Sequence, residues 1–291
     1  MSRRAKITVQ TLLDMKRRGE RIAMLTAYDC PTARILDAAG VDAILVGDSL
    51  AMVVLGHETT LAVTMEEMLH HARAVSRGPR RALLVGDMPF MSYQADTAEA
   101  VRNAGRFLKE AGMDAVKLEG GREMGETVRG IVRAGIPVMG HIGLQPQSVR
   151  RLGGFLAQGR TAASALALVD DALDLEAAGC FALVLESIPN PVANAITARV
   201  RIPTIGIGAG PGTDGQVLVL HDLIGLTEAP PRFAFRRAEV GSAIGQAVSA
   251  FRRDVEAGTF PGALHSFTMP DLEEEALSAA LAPRPGRTGP R

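Results

Sequence analysis

The chain has 291 residues, of which 47% are apolar, enough to build a large core. Its 32 basic and 32 acidic side chains cancel to a formal net charge of zero, which argues against a nucleic-acid or membrane-surface partner. Two cysteines, Cys30 and Cys180, lie far apart without metal-binding spacing and read as free thiols of a reducing compartment. The N-terminal MSRRAKITVQ is basic but has no apolar segment of a secretory signal. No uncharged apolar run approaches the ~18 residues of a membrane span. The expectation is a soluble, cytoplasmic protein.

In chain order, TVQTLLDMKRRG (8–19) comes first, with the cap and periodicity of a helix placed to plug the bottom of a barrel. Eight short apolar runs follow: RIAMLTAY (21–28), DAILVGD (42–48), RALLVGDMP (81–89), DAVKLEG (114–120), IPVMGHIGL (136–144), CFALVLESIP (180–189), IPTIGIGAG (202–210) and QVLVLHDLIG (216–225). Helical patterns separate most of them, among them PTARILDAAG, TMEEMLHHARAVSRG, TAEAVRNAGRFLKEAG and ASALALVDDALDLEAAG. Several end in glycine, the residue favoured just past a helix C-terminus. Strand and helix alternating in this way imply parallel strands with right-handed crossovers. Eight units favour closure into a (β/α)8 TIM barrel, with an open doubly wound sheet as the alternative. No helix fits between the seventh and eighth runs, so the seventh unit is degenerate. Residues 223–263 read as a C-terminal helical extension packed on the barrel. The expected organisation is one barrel domain with flanking helices over 1–267 and a disordered tail over 268–291, rich in Pro, Gly and Arg at its end.

Polar residues gather at the C-terminal ends of the expected strands. They are Tyr28 and Asp29, Asp48 and Ser49, Asp87, Lys117 and Glu119, His141, Glu186 and Ser187, and His221 and Asp222. In a TIM barrel that rim holds the active site. Asp48, Asp87 and Glu119 offer only oxygen, which suits a hard cation such as Mg²⁺ better than zinc. Mg²⁺ takes one or two protein carboxylates directly, so some of the three would act through others. The bland alternative is that Asp29, Asp48 and Asp87 cap the helices that follow.

Lys117 and Glu119 are two apart in a strand and so share a face. Burying both charges is costly unless they pair, bind a metal or meet a ligand. Lys117 has three candidate roles: imine-forming nucleophile, anchor for a substrate carboxylate, or partner to Glu119. Neighbouring acids keep an ammonium charged and favour the anchor. Glu186 is either a desolvated general base or one half of a salt bridge. His141 is either a satisfied core histidine or a substrate contact. The glycine-rich GIGAGPGTDG either binds phosphate or only turns the chain. Residues 142–161 are long for a strand–helix connection and read as a lid or substrate loop. Met88, Met91 and Met139 near the rim read as packing residues.

Taken together, GDSLAMVVLGHETTLAVT, DMPFMSYQ, AVKLEGG, PVMGHIGLQPQSV, ALVLESIP and IGIGAGPGTDGQVLVLHD resemble the ketopantoate hydroxymethyltransferase family over roughly residues 5–267. The resemblance implies a (β/α)8 barrel assembled as a homo-oligomer, commonly a homodecamer. It implies hydroxymethyl transfer from the cosubstrate 5,10-methylenetetrahydrofolate to 2-oxoisovalerate (3-methyl-2-oxobutanoate), in pantothenate and coenzyme A biosynthesis. It places Mg²⁺ on Asp48 and Asp87 with Glu119 in the metal environment. Oxoacid contacts fall on Ser49, Lys117 and His141, together with the two metal-binding aspartates, and the catalytic proton acceptor on Glu186. Two positions depart from the family pattern: Ala51 stands where glycine is expected and Arg237 where tyrosine is expected. A Mg²⁺-dependent C–C lyase of a related 2-oxoacid is the alternative activity, and a catalytically inactive scaffold is the non-enzymatic one.

Overall fold

The computed structural model describes residues 5–282. Eight strands close in sequence order into one barrel, every neighbouring pair parallel, so the open sheet is excluded. The first half runs α1 (Val9–Arg18), β1 (Ile22–Thr26), α2 (Cys30–Ala39), β2 (Ala43–Val46), α3 (Leu50–Val53), α4 (Met65–Ser76), β3 (Leu83–Asp87), α5 (Thr97–Ala111), β4 (Ala115–Glu119) and α6 (Gly125–Arg133). The second half runs β5 (Val138–Gly143), α7 (Val149–Leu152), α8 (Ala162–Ala178), β6 (Ala182–Glu186), α9 (Asn190–Arg199), β7 (Thr204–Ile207), β8 (Gly215–Leu218) and α10 (Leu220–Ile224). As the sequence predicts, β7 and β8 are joined without a helix.

The chemistry of the helix ends is local. Thr8, Thr64 and Thr161 each accept from a backbone N–H three residues on, and Gly19, Gly40, Gly112 and Gly179 close helices in the left-handed conformation. Asp29 is a helix cap: Thr32 N–H donates to its Oδ1 at 2.8 Å. The bland reading therefore holds for Asp29.

Strand alternation divides the core in two. One cluster fills the barrel interior with Met24, Leu45, Val85, Ala115, Met139, Val184, Ile205 and Val217. The other packs the opposite strand faces, among them Ile44, Val116, Leu118 and Leu183, against Leu69, Phe107 and Ile131 of the surrounding helices. Leu12 and Met15 of α1 belong to the interior cluster, so the N-terminal helix plugs the barrel floor as expected. Lys16 pairs with Asp214 at 2.8 Å and Lys6 Nζ donates to the Ala82 carbonyl at 2.7 Å, tying that segment to the N-terminal ends of the strands.

The chain divides into two compact units, 1–238 and 239–291. The second unit carries α11 (Val240–Glu256) and α12 (Asp271–Leu281). None of the residues of α11 is buried. The expected tail is helical over Asp271–Leu281. Asp271, Glu273 and Glu274 in its first turn complement the helix dipole, and the remainder is rich in alanine and leucine. The end of the expected tail, from 283, lies outside the described residues. Cys30 and Cys180 are both free thiols, and burial pushes that of Cys180 up to about 12. Among the described residues no helix is long and apolar enough to cross a membrane.

Candidate active site

Strand register assembles most of the site. Asp87, the last residue of β3, is the register partner of Lys117 on β4, and Glu119 is that of His141 on β5. Lys117 and Glu119 share the inward face, as do Met139 and His141. Gly143 lies beside Glu186, the last residue of β6. A Cβ at Gly143 would run into the Glu186 carbonyl, and its φ of +97° lies in the left-handed region, so only glycine fits where the two strands emerge.

These side chains are buried and tightly coupled. Lys117 Nζ lies 2.8 Å from Asp87 Oδ1 and 3.2 Å from His141 Nδ1. His141 Nδ1 lies 3.5 Å from Glu119 Oε1, and its Nε2 lies 3.2 Å from Glu186 Oε2. The imidazole thus stands between two carboxylates. Burial and the Lys117 ammonium act to lower its pKa, but Glu119 and Glu186 prevail and hold it up to about 9. Burial also opposes the charge on Lys117, yet Asp87, Glu119 and Asp48 together raise its pKa above the ordinary lysine range. Burial pushes Asp48 and Asp87 up to about 6, aided by repulsion from Glu119 at Asp48 and from Asp48 at Asp87.

Asp48 and Asp87 are not helix caps: each carboxylate has one oxygen held by a site N–H. Asp48 N–H donates to Asp87 Oδ2 at 3.1 Å, and Gln147 Nε2 donates to Asp48 Oδ2 at 3.0 Å. Gln147 N–H likewise donates to Glu119 Oε2 at 3.0 Å. Of the second oxygens, Asp87 Oδ1 faces the Lys117 ammonium at 2.8 Å, and Glu119 Oε1 is buried without an aligned hydrogen bond. This donor set fits a hard divalent cation. Four carboxylates, Asp48, Asp87, Glu119 and Glu186, face two basic groups, Lys117 and His141, an excess of two negative charges when all are ionised. Among the described residues no three His, Cys, Asp or Glu side chains converge to cage a metal alone.

Ser49 joins the site through its hydroxyl, 2.8 Å from the Tyr28 phenol. Gln147 escaped the sequence reading. It is buried, its side-chain carbonyl accepts from Tyr93 Oη at 2.7 Å, and its amide also donates to the Met88 carbonyl at 3.0 Å. The length of the 142–161 connection was the one available signal, since this loop delivers Gln147 to the site.

The site forms the floor of a cavity of about 700 Å³, lined also by Met52, Val53, Phe155 and Phe233. That volume suits a molecule of cofactor size. Met88 and Met139 are core residues as expected, whereas Met91 is 54% exposed. The glycine-rich loop after β7 turns the chain and allows close approach: a Cβ at Gly208 would strike Phe233. Ala51 is buried in α3, and the Arg237 guanidinium lies 4.2 Å from the centre of the Phe235 ring. Neither residue lines the cavity.

Solved structures of similar shape share the fold at low identity. Phosphonopyruvate hydrolase, in complex with oxalate and Mg²⁺, is 13% identical with a TM-score of 0.58, over 94% of this chain and 97% of that one. A 2,3-dimethylmalate lyase of the PEP mutase/isocitrate lyase superfamily is 15% identical with a TM-score of 0.54, over 94% and 98%. Sequence relatives are far nearer. The 3-methyl-2-oxobutanoate hydroxymethyltransferase of Nitratidesulfovibrio vulgaris is 56% identical over 93% of this chain and 89% of the relative. That of Syntrophobacter fumaroxidans is 54% identical over 94% and 97%. Residues 6–263 match the family described as ketopantoate hydroxymethyltransferase, and with relatives this similar along nearly the whole chain, the protein belongs to that family.

Proposed function

We propose that the protein transfers a hydroxymethyl group from 5,10-methylenetetrahydrofolate to 2-oxoisovalerate, giving ketopantoate for pantothenate and coenzyme A synthesis. The observation that carries this reading is the pairing of Lys117 with Asp87 beside the His141–Glu186 contact, all on one cavity floor. A substrate needing both a carboxylate anchor and a nearby base fits that floor.

Asp48 and Asp87 hold Mg²⁺, with Glu119 shaping its surroundings. When bound, the ion supplies Lewis acidity toward a 2-oxoacid. Lys117, kept cationic by its acids, anchors the substrate carboxylate, and Ser49, itself fixed by Tyr28, adds a hydroxyl contact. Glu186 removes the proton from C3 of the oxoacid, leaving an enolate. His141 orients the Glu186 carboxylate through its Nε2. The methylene–N10 bond of the folate opens as N10 takes a proton, and the enolate carbon bonds to the methylene carbon still held by N5. Water then supplies the hydroxyl as the methylene–N5 bond breaks and N5 is protonated, and tetrahydrofolate leaves. The apolar upper cavity excludes bulk water from the enolate.

The test is purified protein with Mg²⁺, 2-oxoisovalerate and methylenetetrahydrofolate, followed for ketopantoate. Absence of ketopantoate would overturn the reading. Turnover of a 2-oxoacid without folate would replace it by the lyase alternative. The proposal includes a cytoplasmic homodecamer, and sedimentation velocity tests the assembly.

A further inference from the structure

Asp222 sits on α10, which follows β8. The Tyr28 and His221 rings lie 5.4 Å apart, and Leu220 N–H donates to Thr26 Oγ1 at 3.0 Å, which fixes α10 against β1. Asp222 is only 5% exposed and lines the same cavity as the charged floor. Among the described residues no hydrogen bond or ion pair engages its carboxylate. Its oxygens are not among the enclosed unpaired atoms, so the carboxylate opens onto the cavity, where a bound ligand can supply the donors that the protein does not. The same cavity is also lined by Met52, Val53, Phe155 and Phe233, and by exposed Arg232. A five-carbon oxoacid held at the Lys117 end leaves most of the roughly 700 Å³ unfilled.

We infer that Asp222 recognises the second substrate by accepting two adjacent N–H donors from a flat, uncharged heterocycle. On the reading proposed above, on which this inference rests, the heterocycle is the 2-amino-4-oxopteridine of the one-carbon donor. Its ring N–H and exocyclic amine form the parallel donor edge that a carboxylate binds with both oxygens. Its faces are apolar and match the aromatic and aliphatic walls. The carboxylates at the far end of such a molecule suit Arg232. Asp222 therefore selects the folate, while the floor residues select the oxoacid.

The experiment measures binding of tetrahydrofolate and of its 2-desamino analogue by calorimetry, with Mg²⁺ and 2-oxoisovalerate present, for the wild type and Asp222→Asn. The variant loses roughly ten- to a hundredfold in tetrahydrofolate affinity, the size expected for a charge-assisted hydrogen bond. The wild type shows a similar loss on the analogue, and the variant little further loss, because both changes remove the same contact. Affinity for 2-oxoisovalerate with Mg²⁺ is the control for an intact barrel. Equal tetrahydrofolate affinity in variant and wild type overturns the inference, and so do losses that simply add. If Asp222→Asn fails to fold, an undiminished wild-type affinity for the analogue overturns it alone. A wild type that binds the oxoacid but no folate overturns the functional reading itself.

Discussion

Gln147 Nε2 donates to Asp48 Oδ2 at 3.0 Å across 99 residues of sequence, and its backbone N–H holds Glu119 at the same distance. One residue of the β5–α8 connection thus fixes two carboxylates of the site, and Tyr93 fixes that residue in turn. Gln147→Leu keeps the bulk but removes the side-chain donor to Asp48 and the acceptor for Tyr93, which retains its contacts to the Glu119 backbone. Loss of such an outer partner typically lowers metal affinity by ~10–100-fold. Mg²⁺ titration by calorimetry in the presence of 2-oxoisovalerate checks this. Wild-type affinity in the variant would show that Asp48 needs no help from the loop.

The raised pKa values of the aspartates set a pH dependence. An aspartate of the unfolded chain titrates near 3.8, whereas folded Asp48 and Asp87 titrate at about 6. Folding therefore favours their protonated forms. The stability this gives is complete below the unfolded value and is lost as pH rises through about 6. A bound cation reverses the preference, because it needs the ionised carboxylates. Added Mg²⁺ should raise Tm little at about pH 5 and clearly at about pH 7.5, with the change centred near 6. Thermal melts with Mg²⁺ and with chelator give the comparison. A Mg²⁺ effect constant over that range would remove these two residues from the metal site, and so would unchanged Mg²⁺ affinity in Asp48→Ala and Asp87→Ala.

Much of this site is legible in the sequence because strand periodicity alone places it. Lys117 and Glu119 must share a face, and parallel register then sets Asp87 and His141 beside them. What sequence could not separate is Asp29 from Asp87. Both follow an apolar run, but Asp29 meets a helix start while Asp87 ends its strand and leaves the capping of α5 to Asp96. Gln147 was hidden because a loop glutamine has no periodicity to betray which way it turns. Asp222 was placed at a strand end, although β8 stops at Leu218 and α10 carries the residue. The helix at Asp271–Leu281 was masked by the Pro- and Arg-rich residues that follow it.

Lys117 separates anchor from nucleophile. An imine-forming lysine needs a lowered pKa, whereas Asp87, Glu119 and Asp48 raise that of Lys117 against the effect of burial. Borohydride added with 2-oxoisovalerate should trap no adduct, as read by intact-protein mass. Lys117→Met should weaken oxoacid binding, because it removes the cation facing the substrate carboxylate. A reduced adduct mapped to Lys117 would establish imine chemistry instead.

Glu186 is isolated by a step that needs no folate. With Mg²⁺ in D₂O, the enzyme should exchange the C3 hydrogen of 2-oxoisovalerate for deuterium, and proton NMR follows the loss of signal. Glu186→Gln keeps the size and a hydrogen-bonding group near His141 Nε2, but an amide accepts no proton at neutral pH. Oxoacid binding should persist, since Lys117 and the aspartates remain. Exchange should slow by ~10²–10⁴-fold, the usual cost of losing a general base. His141 tests the second half of the arrangement. Its pKa is held up to about 9 by Glu119 and Glu186, and its Nε2 lies 3.2 Å from Glu186 Oε2, which suits it to position Glu186 rather than to take the proton. His141→Asn should therefore slow exchange less than Glu186→Gln does. If the glutamine variant instead exchanges at the wild-type rate, Glu186 is structural, and His141 becomes the group to examine as proton acceptor.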